Sequence, residues 1–243
     1  LAEKRVFVRG LADLVDFLCW EKLTSQSGGI EVHSLDHRLQ DHLKDVTEKI
    51  GFQFLSRDLL LKHIRKGSRG HLLKYYFYNF IAYTKGALDA VACTLNSFFG
   101  LGFVRGQIDL NRPSFVTAIE RFPSFRDFAS RYGKWISRLT DYRDATIHRK
   151  SVELYGVGGS KVRIPSRAMS HAELCDIEDW LDTERDHTKR QFLERSIRPT
   201  SLRKFMVDSI GNTLSLVGDM STEILQELKK CYPHHKPSRV SYG

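Results

Sequence analysis

Cysteine is scarce in this chain, and what there is stands apart. The four cysteines, Cys19, Cys93, Cys175 and Cys231, form no Cys-x-x-Cys pair among the 243 residues. That spacing argues against a disulfide framework, and a cytoplasmic address is the resulting expectation. Proline is sparse as well, with 6 residues, and 41% of the chain is hydrophobic, the composition of an ordinary globular protein. No apolar run reaches the roughly 18–20 residues that a membrane span needs. The longest apolar-rich stretch, Tyr75 to Phe99, is interrupted by Asn79, Lys85, Asp89 and Asn96, so no membrane partner is expected. The opening Leu1-Ala2-Glu3-Lys4-Arg5 is not followed by a secretory apolar region. Acidic residues are in deficit: 29 Asp and Glu against 38 Lys and Arg leave a net charge of +9. Such a surplus favours polyanionic partners, nucleic acid first among them.

What the chain does have is helical periodicity. Leu11, Leu14, Val15 and Leu18 fall at helical spacing, followed by a Ser-Gly loop at 25–29. Ser34 reads as the cap of a second helix to about Ile50, striped by Leu35, Leu39, Leu43 and Val46. Ser56 reads as the cap of a third, ended by Gly67-Ser68-Arg69-Gly70. A long helix is predicted from about His71 to Phe99, stopped by Gly100 and Gly102. Pro113 suits the first turn of a short helix, and Gly133 precedes another that runs to about Lys150. The period then changes. Ser151–Tyr155 and Lys161–Ile164 alternate around a Gly-rich turn, predicting a β-hairpin over 151–165. Ser170-His171-Ala172-Glu173 is a capping box that opens a helix to about Ile197. Beyond Pro199 a last helix runs from Leu202 to about Lys230. The fold class expected is all-α, one mainly helical domain over 1–243 with a small inserted hairpin and C-terminal helices over 170–231.

The constellation richest in chemistry is Arg143-Asp144-Ala145-Thr146-Ile147-His148. It joins a permanent cation, a carboxylate and the side chain best suited to proton transfer near neutral pH. At about 100° per residue, Trp135, Leu139, Tyr142 and Thr146 share the expected core face. Asp144 and His148 are neighbours one turn apart, so the carboxylate can fix the imidazole tautomer. Arg143 lies about 140° around the helix from His148. Aiming both at one phosphate requires a distorted helix, a long reach by Arg143, or two copies of the helix in a homodimer. The chemistry so assembled is RNA cleavage without a cofactor. His148 acts as acid or base at the 2′-OH or the leaving 5′-oxygen, and Arg143 balances charge on the phosphorus oxygens. The bland reading pairs Arg143 with Asp144 or Asp141 on a solvated face and leaves His148 as a surface residue.

This segment resembles the Arg-x4–6-His motif of the HEPN family, in which a polar residue, here Asp144, follows the arginine. Leu139-Thr140-Asp141-Tyr142 before the motif and Thr84 to Asn96 upstream look like the family's two core helices. The resemblance covers about 56–150. It implies an up-and-down helical bundle that dimerises with the motif at the dimer cleft. It also implies a metal-independent endoribonuclease, of the kind found as toxins and phage-defence effectors, controlled by an antitoxin or other regulatory protein. Some members of the family are inactive and serve as binding modules. A related branch carries Arg-x4-His-x-Tyr with a tyrosine modified by AMP, but Lys150 stands at that place here.

Two further groups join the expectation. Tyr78, Lys85, Asp89 and Asn96, spaced 7, 4 and 7, form one polar stripe that can line the same cleft or face solvent. Lys62, Arg65, Lys66 and Arg69, with Lys85, Arg149 and Lys150, are the candidate RNA-binding cations. His63, His71, Lys74 and the adjoining Tyr75, Tyr76 and Tyr78 give the first of these an aromatic neighbourhood suited to single-stranded RNA. The alternative is a solvated turn with core tyrosines. His33, His37 and His42 lack the His-Glu-x-x-His pattern, so no metal site is assigned. The Gly-x-Gly-Gly at 156–159 lacks the Lys-Ser/Thr and the helix of a phosphate loop. A non-catalytic module that binds RNA, a nucleotide or a protein stays open beside the nuclease.

Overall fold

The computed structural model describes residues 32–68, 70–147, 151–156 and 161–231. Side chains are described from Asp41 onward, with His171, Asp182, Ser196 and Cys231 excepted. Among the described residues there are seven α-helices. They are α1 Val32–Arg65, α2 Gly70–Phe98, α3 Pro113–Glu120, α4 Phe128–Ile147, α5 His171–Thr183, α6 His187–Ile197 and α7 Leu202–Cys231. A 3-10 turn, Pro123–Phe125, precedes α4. Two short strands, β1 Arg163–Ile164 and β2 Thr200–Ser201, complete the set. The all-α expectation holds at this level. The helix expected over residues 11–23 lies outside the described residues.

Two of the expected helices are one. Ser56 does not cap a helix; it is buried in the middle of α1. The buried positions Ile50, Gln53, Ser56, Leu60 and Ile64 continue the three-four spacing without interruption. The internal Gly51 costs about 1 kcal/mol of helix propensity and is outweighed by that packing. Likewise α4 starts at Phe128, five residues before Gly133. Its first turn is held by the Glu120 carboxylate, which accepts the Ala129 N–H at 2.9 Å. The helix expected from Ser170 to Ile197 is broken in two, because Asp186 accepts the N–H groups of Thr188 and Lys189 and starts α6 afresh. The capping box at Ser170 and Glu173 is formed as expected.

The expected hairpin is reduced to a single antiparallel bridge, Tyr155 to Arg163. Arg163 and Ile164 pair instead with Ser201 and Thr200. The alternation of Lys161, Val162, Arg163 and Ile164 is real, with 162 and 164 buried and 161 and 163 exposed. It serves a partner segment that lies far along the chain.

The described chain divides into two compact units. The first comprises residues up to Glu48, Gly86–Arg131 and the part from Gly211. Its core is made by Ala87, Leu88, Val91 and Leu95 of α2, Phe115 and Ile119 of α3, and Leu216, Val217, Met220 and Ile224 of α7. Glu223 is buried there and accepts the Ser124 N–H at 2.8 Å, while Arg131 meets Asp219 at 2.5 Å. The second unit comprises Lys49–Lys85 and Tyr132–Ile210. Its centre is aromatic: Phe77, Phe80, Tyr142 and Phe205 pack with ring centroids 5.4–6.5 Å apart. The Arg138 guanidinium lies 4.9 Å from the Phe205 ring centroid.

Tyr142 links this core to the segment before α5. Its hydroxyl donates to the Pro165 carbonyl, which also accepts from Arg138 at 3.1 Å. Burial pushes the Tyr142 phenol up; Arg138 pulls it partly back, and Asp141 adds to the rise. The fold therefore prefers the neutral phenol. Its stabilisation is complete below the unfolded tyrosine value of about 10 and is lost as pH rises through the higher folded value. Urea denaturation across alkaline pH should show wild type losing stability more steeply above about pH 10 than Tyr142→Phe. Parallel pH profiles would remove Tyr142 as the cause.

Candidate nucleic-acid interface

Arg143 and Asp144 stand on the last described turn of α4. The burial pattern of this helix explains why they are at the surface. Tyr132, Ile136, Leu139, Tyr142 and Ala145 are buried, which sets the core face. Trp135 and Thr146, expected on that face, are only half-buried. The Trp135 indole reaches Ser209 at 3.2 Å, and Thr146 donates to the Arg143 carbonyl at 2.6 Å. Arg143 and Asp144 are 43% and 49% exposed and form an ion pair at 3.1 Å. Asp144 thus binds its neighbour's guanidinium. His148, Arg149 and Lys150 lie outside the described residues, as does Arg69.

The segment after the motif is tied to α2 within the same unit. The Tyr78 hydroxyl accepts the Val152 N–H at 3.0 Å. Lys74 donates to Ser151 at 2.7 Å and stands 3.9 Å from the Glu153 carboxylate. Tyr78 and Lys74 therefore hold the chain just beyond the motif. Lys85, expected among the RNA-binding cations, is buried, so it is not displayed to a strand in solvent. Asp89 and Asn96 belong to the other unit. Asn96 clamps the loop after α2, donating to the Phe103 carbonyl and accepting its N–H, both at 3.1 Å.

The basic turn between α1 and α2 keeps its aromatic company. Lys62, Arg65 and Lys66 are exposed at the end of α1. His63 stacks on Tyr76 at 4.8 Å between centroids and meets the Ser68 hydroxyl at 2.9 Å. Tyr75 is 58% exposed, edge-on to Tyr76. Of the expected pattern, the structure brings together exposed cations, a stacked His-Tyr pair and a ring open to solvent.

Arg65 belongs to a second arrangement that the sequence did not reveal. It lines a cleft of about 590 Å³ together with Lys161, Arg163, Ser201 and Arg203. The cleft's apolar wall is Leu61, Ile64 and Val162. The Lys161-x-Arg163 alternation was visible in the sequence. Its meeting with Arg203 depends on the β1–β2 pairing between segments almost forty residues apart, which no local pattern announces.

Among the described residues no group of three or more His, Cys, Asp or Glu side chains gathers as a metal site. Nor is any described helix long and apolar enough to cross a membrane. No protein-family model, curated protein or solved structure matches the chain.

Proposed function

We propose that the chain is a HEPN-like, metal-independent endoribonuclease acting as a homodimer, with a place among toxins or phage-defence effectors. His148 takes the proton from a ribose 2′-OH, and the freed oxygen attacks the adjacent phosphorus. The 5′-oxygen of the next nucleotide leaves with a proton supplied by solvent water, and a 2′,3′-cyclic phosphate remains. Arg143 balances the charge that builds on the phosphorus oxygens. The observation that supports this reading is Arg143 itself: half-exposed on the last described turn of α4, in a basic and mainly helical chain.

The ion pair between Arg143 and Asp144 favours a second reading, a non-catalytic helical module that binds RNA, a nucleotide or a protein. A guanidinium already engaged by Asp144 has less to give a phosphate. Incubation of the purified chain with total RNA, wild type beside His148→Ala, separates the two. Cleavage that resists EDTA, leaves cyclic phosphate ends and disappears in the variant supports the nuclease. Salt-sensitive RNA binding without cleavage supports the module.

A further inference from the structure

The cleft between the end of α1 and the β1–β2 pair differs in kind from the motif on α4, and none of its lining residues belongs to α4. Four cations from three separate segments converge on it: Arg65, Lys161, Arg163 and Arg203. The backbone sets their positions. Lys161 and Arg163 are two residues apart on an extended segment, so they project to one face. Arg163 is the cross-strand partner of Ser201. Beside that pair, the Leu202 N–H donates to the Val162 carbonyl at 3.1 Å. The ladder therefore brings the start of α7, and Arg203 with it, against Lys161 and Arg163.

The electrostatics are one-sided. No carboxylate among the described residues lines the cleft. Among the described residues no carboxylate forms an ion pair with any of the four cations. Among the described residues the Arg65 side chain makes a long, 3.4 Å contact with the Leu61 carbonyl. Like charges gathered in a cavity repel one another, and an anion placed among them relieves that repulsion. The first turn of α7 adds to the preference. Ser201 caps it through the Lys204 N–H at 3.4 Å, and the N-terminal end of this long helix carries partial positive charge.

Size and wall chemistry narrow the ligand. A volume of about 590 Å³ is that of a small-molecule site, whereas an extended strand calls for a groove that tracks its backbone. Half-buried Leu61, backed by the buried Ile64 and Val162, gives the cleft an apolar side beside the charges. We propose that this cleft binds a compact ligand with clustered phosphates next to an apolar body, the chemistry of a nucleoside polyphosphate. The Arg and Lys side chains hold the phosphates, Ser201 donates its hydroxyl, and the aliphatic wall takes the base or sugar face. The site is independent of the cleavage reading and stands whether or not Arg143 and His148 cut RNA.

Equilibrium dialysis of the full chain with radiolabelled ATP and GTP tests it. Inorganic tripolyphosphate, inositol hexakisphosphate and a short single-stranded RNA serve as competitors. Binding of at least one nucleotide is expected, weakened about tenfold or more by Arg163→Gln and by Arg203→Gln, each loss corresponding to about 1.4 kcal/mol. Both side chains are exposed; Arg203→Gln lies outside the strand pair and serves alone if Arg163→Gln disturbs folding as judged by circular dichroism. His148→Ala should bind the nucleotide like wild type. Absence of nucleotide binding overturns the proposal, as does binding that both Gln variants retain. Tripolyphosphate or inositol hexakisphosphate binding as tightly as the nucleotide removes the role of the apolar wall and overturns the nucleoside assignment. RNA that binds through Arg163 and Arg203 while nucleotides fail to compete overturns it in favour of a strand path.

Discussion

Phe205→Ala is expected to destabilise the protein by about 3–5 kcal/mol, the range for removing a fully packed aromatic side chain. Phe205 is 4% exposed. Its ring packs against those of Phe77, Phe80 and Tyr142 at 6.3, 6.5 and 5.4 Å between centroids. It also carries the Arg138 guanidinium on its face. Truncation removes the burial of a large apolar surface, leaves a cavity that rigid neighbouring rings cannot close, and takes away the cation's aromatic partner. Phe192→Ala is the control, since that ring is 60% exposed on α6; its cost should stay within about 0.5 kcal/mol. Thermal denaturation of the two variants beside wild type checks the contrast. At about 2–4 °C per kcal/mol for a chain of this size, Phe205→Ala should melt many degrees lower. Similar melting temperatures for both variants would show that the aromatic cluster is not where the second unit's stability resides.

That cluster was only partly legible beforehand. Tyr142 was placed on the core face from its spacing with Leu139, and both are fully buried. Phe205 has the same spacing from Leu202, which marks it as apolar-face but names no partner; the first turns of α7 acquire theirs through the β1–β2 pairing. The same division runs through the rest of the fold. Features written locally were readable: the α2 span, Pro113 at the start of α3 and the Ser170 capping box. Features decided by tertiary burial were not. Ser56 has the chemistry of a cap, yet its position on a continuous buried stripe carries α1 straight through it. Asp186 has the same chemistry and does start a helix, because α5 and α6 are largely exposed there and little burial resists the break. At the candidate site the sequence marks Arg143 and Asp144, but their adjacency allows Asp144 to meet either Arg143 or His148, and the pairing with Arg143 is set by the fold. The cationic cleft has no such local signature: the alternation of Lys161 and Arg163 predicts a strand of a hairpin with 151–155, whereas the β1–β2 pairing carries that strand to Arg203.

The larger effect is expected at the motif. If the chain cleaves RNA as proposed, His148→Ala removes the group that moves the proton, a loss of about 10²–10⁴-fold in rate. Arg143→Ala removes charge stabilisation at the phosphate, a loss of about 10²–10³-fold. Arg143→Lys should recover only part, because an ammonium keeps the charge without the planar fork that grips two phosphate oxygens. Asp144→Ala frees the guanidinium from its present partner at 3.1 Å, so its effect separates a carboxylate that restrains Arg143 from one that orients His148. A rise in cleavage indicates the first and a fall the second. The angle of about 140° between Arg143 and His148 on a regular helix makes a further demand. If each site takes its arginine from one chain and its histidine from another, unfolding and refolding Arg143→Ala together with His148→Ala should restore activity. Each mixed dimer then holds one intact site, and an equal mixture should recover about a quarter of wild-type cleavage. Failure to recover any cleavage, with dimers confirmed by sedimentation, would place both residues in one chain, reached by a distorted helix or by the long Arg143 side chain. Undiminished cleavage by both single variants would sink the nuclease assignment, leaving the exposed Arg143–Asp144 pair as a solvated ion pair and the chain as a binding module.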